Sequence, residues 1–151
     1  MSGHSEAKIV NGLVAACEDG AQAFRSALKV VADRDLKQVF YDLAIEREHT
    51  AAELRKLVHD LGDLPKESGS ASGLALRIYA DLKTALSSNE EKAVLEELER
   101  SEDRILGRFK AALASGLSAE AKDTVRACHS EILGSRQKID ALRQRAAHDS
   151  S

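Results

Sequence analysis

One proline, no tryptophan and an aromatic content of only 3% leave this 151-residue chain short of the residues that favour strands and sharp turns. The two cysteines, Cys17 and Cys128, are far apart and belong to no CxxC or Cys/His cluster, which excludes a disulfide framework or a structural zinc site. Neither sign of charge dominates: 22 basic and 25 acidic side chains give a net charge of -3, so neither nucleic acid nor an anionic membrane surface is expected as a partner. No window approaches the roughly 18 apolar residues of a membrane span. The opening MSGHSEAKIV has no charged stretch followed by an apolar one, and a cytoplasmic protein is the expectation. Gly-rich phosphate loops, GxSxG elbows and HExxH are all missing, so the usual catalytic motifs offer no nucleophile or metal site.

What remains is 43% hydrophobic and 31% charged, and its apolar residues recur at steps of three and four, never two. That is the composition and period of long helices. Ile9, Leu13, Cys17, Gly20, Phe24, Leu28 and Val31 line a first helix, about 5–31. Asp33 caps a second, about 34–61, along Leu36, Val39, Phe40, Leu43, Arg47, Thr50, Leu54, Leu57, Val58 and Leu61. Gly62 stops it, and a stretch holding Pro65 leads to a short helix at about 74–86. Ser88 and Glu91 have capping-box spacing before a third long helix, about 89–115, with Val94, Leu98, Glu102, Ile105, Phe109 and Ala112 on one face. Ser118 caps the fourth, about 118–146, where Val125, Cys128, His129, Ile132, Arg136, Ile139 and Arg143 share a stripe.

Short connections make the first and last pairs antiparallel hairpins, while the long middle link reaches the length of a bundle. The expected fold is all-α, a single ferritin-like four-helix bundle of two hairpins joined by a long crossover containing a short helix.

Ferritin-like di-iron proteins repeat Glu-x-x-His on two helices and add one Glu from each of the others. Here Glu46 and His49 have that spacing, and Glu18, Glu102 and Glu131 lie at similar height, each about fourteen residues from its hairpin turn, as does Glu46. At about 100° per residue, however, the second helix's stripe turns Glu46 to the flank and His49 toward solvent. Glu131 is followed by Gly134 where a second His is needed. The interior stripes instead bring Arg47, Glu102, His129 and Arg136 to mid-height, with Glu18 at the edge, as a buried polar cluster. Gly20 on the inner face points to close helix approach or to room for a large neighbour such as Arg47. Both thiols are expected to be buried, and His129, diverging by about 100° from Cys128, cannot serve it as a base.

The segments CEDGAQAF at Cys17 to Phe24, AIEREHTAAEL at Ala44 to Leu54, GSASGLALRIYADLK before the third long helix and ERSEDRIL at Glu99 to Leu106 resemble a bacterial family of ferritin-like four-helix-bundle proteins classed only as a domain of unknown function. The resemblance covers nearly the whole chain and implies the bundle fold and a stress-related role, with no established reaction. The family often has a His in the final helix where this chain, aligned from QKIDAL, has Arg136, so no metal role carries over to that position.

Two functional expectations follow. The first is a non-enzymatic structural or interaction protein without a cofactor, pairing with a second copy or another helical protein through the extra apolar surface of Leu74, Leu76, Ile78, Tyr79, Leu82 and Leu86. The alternative is a metal-binding oxidase or iron-handling protein, with iron held by Glu18, Glu46, His49, Glu102 and Glu131.

Overall fold

In the computed structural model, which describes residues 3–65, 80 and 91–149, the chain forms four long helices and, among the described residues, no strand. They are α1 (Gly3–Val30), α2 (Arg34–Asp60), α3 (Glu91–Leu113) and α4 (Ala119–Asp149). The expected short helix at 74–86 lies outside the described residues, apart from residue 80.

Local chemistry fixes the helix ends. Asp33 is extended and its Oδ1 accepts from the Leu36 amide at 2.9 Å, satisfying one of the donors that the first turn of α2 leaves open. Gly62 and Gly116 have φ of +84°, a left-handed conformation that glycine adopts without steric penalty and that ends α2 and α3.

The contacts at the ends define the topology. His4 on α1 meets Asp63 beyond α2 at 2.9 Å, Asn11 donates to the Leu64 carbonyl at 3.1 Å, and Glu6 accepts from the Ser118 amide at the start of α4. The beginning of α1, the end of α2 and the beginning of α4 therefore share one end of the bundle. At the opposite end Val31 and Leu36 join a cluster with Val94, Leu95 and Ile139. Helices α2 and α3 thus run parallel, and the chain between them must return the bundle's length, about 35 Å for the 23 residues of α3 at about 1.5 Å each. The neighbouring pairs are α1 with α2, α3 with α4, α1 with α3 and α2 with α4. Helices α2 and α3 consequently face each other across the diagonal.

The interior has two apolar halves. Leu13, Cys17, Leu54, Phe109, Val125 and Ile132 belong to one, and Phe24, Phe40, Leu43, Leu98 and Ile139 to the other. All six stripe residues expected on α3 are buried, as are eight of the ten on α2, with Val39 and Leu61 half-buried. On α4 the seam is shifted. Ala121, Val125, Cys128, Ile132, Ser135 and Ile139 are buried, whereas His129, Arg136 and Arg143 are not.

Replacing the α2 cap, Asp33→Ala, is expected to lower stability by about 1 kcal/mol, read as a fall in the urea midpoint at unchanged slope.

Candidate functional site

Between the two apolar halves lies a polar layer built from all four helices. Arg47 of α2 and Glu102 of α3 are each 1% exposed, and Arg47 Nη2 donates to Glu102 Oε2 at 2.8 Å across the bundle axis. The same nitrogen donates to Ser135 Oγ on α4 at 2.6 Å. The Ser135 hydroxyl lies 2.8 Å from Glu102 Oε2 and 2.9 Å from the Ile132 carbonyl, two alternative acceptors for its single proton. From α1 the Phe24 ring lies under the guanidinium, 5.8 Å from its centroid, close enough for a cation–π attraction. Gly20, also on α1, faces the stem of Arg47 and the end of Ile105. A Cβ there would stand 3.4 Å from Arg47 Cγ and 2.7 Å from Ile105 Cδ1, so the place for a side chain is already taken.

The pairing neutralises charge without completing the hydrogen bonds. Arg47 Nε and Nη1 and Glu102 Oε1 are buried with no partner among the described residues. An ion pair joined at one nitrogen, instead of through the two-pronged arginine–carboxylate geometry, adds little net stability over an apolar replacement. Removing one partner is a different matter, because the other is left charged in the core.

The remaining members of the expected cluster lie elsewhere. Arg136 is 23% exposed and turned to the α3/α4 rim, donating to Asp103 at 2.8 Å and pairing with Glu99 at 3.1 Å. Its position one residue past Ser135 rotates it about 100° from the axis, and its long stem carries the charge to the acidic edge of α3. His129 follows Cys128 in the same way and stacks on Phe109, with ring centroids 6.2 Å apart. Glu18 pairs with Arg55 at the α1/α2 seam and does not reach Arg47. Ser135 was not legible as a partner, since a single small polar residue in a helix carries no signal of burial.

The residues that iron would require are also dispersed. Glu102 is held by Arg47, Glu18 by Arg55, and Glu131 sits 3.0 Å from the Thr50 hydroxyl. His49 is 69% exposed beside Glu53, and Glu46 is half-buried. Among the described residues no three His, Cys, Asp or Glu side chains converge closely enough to hold a metal ion.

A family model described as a domain of unknown function, DUF2383, matches residues 5–115. The chain belongs to that family. No curated protein matches it. The DUF2383 match takes in α1 to α3, and with them Gly20, Arg47 and Glu102, while Ser135 on α4 lies beyond its end.

Cys17 and Cys128 are both free and buried, and desolvation pushes each thiol up to about 12, partly opposed at Cys17 by the Arg47 charge. Thiolate is the reactive form, so the folded protein should label slowly from pH 7 to 9 while the denatured chain labels faster as pH rises through that range. Rapid native labelling of both cysteines would contradict their burial.

The central pair has its own test. Arg47→Leu alone should destabilise by about 3 to 5 kcal/mol, and adding Glu102→Leu should recover much of that loss. The double-mutant cycle measures the coupling apart from packing, and strictly additive effects would mean that the pair does not form.

Proposed function

We propose that this DUF2383 protein is a cytoplasmic, non-catalytic structural or interaction module on a ferritin-like scaffold, with the Arg47–Glu102–Ser135 layer at the height where di-iron proteins of that architecture hold their metal. The single observation behind the proposal is the buried 2.8 Å pair at the bundle axis. A guanidinium fixed there opposes a second cation in the same space and occupies the carboxylate that a metal would need. The layer's role is to set register. Sliding one helix past the others by a turn would separate Arg47 from Glu102 and bury both charges unpaired, so the aligned arrangement is selected against its neighbours.

The two parallel helices joined by a long return connection support the ferritin-like assignment, because that connectivity distinguishes ferritin-like bundles from simple up-and-down ones. Self-association into a homodimer, or pairing with another helical protein, belongs to the same proposal, as does the stress-related role implied by the family resemblance. Exposed Tyr41 and Ile45, four residues apart on the outer face of α2, are apolar surface available for such contact.

Purification without a metal-affinity tag, followed by elemental analysis, anaerobic iron titration and sedimentation of the same sample, tests the reading. A dimer without stoichiometric iron is the expected result. Stoichiometric, saturable iron would overturn the non-catalytic assignment, and a strict monomer at high micromolar concentration would remove self-association.

A further inference from the structure

Helices α1 and α3 leave a groove between them at the level of Gly20, with a volume of about 220 Å³. Its floor is Ala16, Gly20 and Ile105, and its polar lining includes Ser101, Arg104 and Arg108. The floor is dense, since Ile105 occupies the space into which a Gly20 side chain would project. The opening above it exists because positions 16 and 20 carry almost no side chain.

Arg104 and Arg108 stand four residues apart on α3, which places their side chains side by side on one face. Both are exposed, and among the described residues neither has a hydrogen-bond or ion-pair partner. The arginines that join α4 to α3 behave otherwise: Arg136 and Arg143 are both bound to Glu99. Two like charges at this spacing repel, and an anion bridging them removes the repulsion while adding charge-assisted hydrogen bonds. Asp19 is the one acidic residue on the lining, against two arginines, so the groove's charged groups carry a net positive charge.

We propose that this groove binds a small amphipathic organic anion, its carboxylate or phosphate bridging Arg104 and Arg108 and its apolar body lying on Ala16, Gly20 and Ile105. The volume equals that of about seven waters at about 30 Å³ each, which suits the body of a medium-chain acid and is below the range typical of larger ligands. The site is distinct from the buried layer and does not depend on the structural role assigned to it.

The test is an amide NMR titration with octanoate and with octyl phosphate below their micelle-forming concentrations, using octanol and acetate as probes of chain and charge alone. Saturable shifts at Gly20, Ser101 and Ile105 are expected with at least one of the two amphipathic anions. Octanoate alone would identify a carboxylate site, octyl phosphate alone a phosphate site, and both a general anion site. Arg104→Gln combined with Arg108→Gln alters only exposed side chains, so the protein should keep its Tm while binding weakens at least tenfold. No saturable shift with either anion, equal binding by octanol, or unchanged affinity in the double variant would overturn the proposal.

Discussion

A guanidinium at the centre of a four-helix bundle is the constraint around which the rest of this structure is arranged. Arg47 cannot be left without an anion in that place, because an uncompensated buried charge costs several kcal/mol, a large share of the stability of a domain this size. Its acceptor comes from α3, the helix diagonal to α2, so a single ion pair relates two elements that are not packing neighbours. Ser135 adds α4, and Phe24 and Gly20 add α1. Each helix contributes what the others lack: charge, countercharge, hydroxyl, and an aromatic face beside a gap. The apolar core is interrupted by this layer, and its two halves supply the burial that makes the polar centre tolerable.

How far the sequence disclosed this arrangement depended on the composition of each helix. Helices α2 and α3 place bulky aliphatic and aromatic residues on one stripe, and within such a stripe Arg47 and Glu102 stand out as interruptions at matching heights. Their common height could be read from spacing, whereas the pairing of helices that makes the contact a diagonal one could not. Helix α4 was harder. Its seam runs through Ala121, Cys128 and Ser135, small residues that contribute little to a periodic signal, while His129, Arg136 and Arg143 follow one position behind. A stripe drawn through the larger residues is therefore turned by up to about 100°. In α1 the buried face is wide and includes Ala16, Ala23 and Ser26 beyond the main stripe, so Ile9 and Leu28, read as interior, are only half-buried.

The same misreading explains the difference between the expected polar cluster and the observed one. Arg136 and Arg143 are long enough to leave the axis and reach the acidic edge of α3, where Glu99 accepts both. Such rim pairs are worth little individually, since solvent screens them and their side chains must be ordered. They nevertheless favour one rotation of α4 about its axis, the rotation that turns Ser135 inward. The rim and the core layer are thus two readings of one helix phase, and a sequence argument that moved the arginines inward necessarily moved Ser135 out.

Gly20 connects these considerations to the open seam between α1 and α3. A Cβ there would overlap Ile105 while standing at ordinary contact distance from the stem of Arg47, so the absence of a side chain serves the seating of Ile105 beside the buried layer and shapes the groove outside it. Alanine would regain helix propensity of up to about 1 kcal/mol but would require Ile105 to move, and Ile105 is part of the groove floor. The conformational cost of a mid-helix glycine is therefore offset at two places at once. The donors on Arg47 that have no partner among the described residues argue further that the centre of this bundle was not filled for stability alone, since an apolar layer of the same volume would have packed more simply.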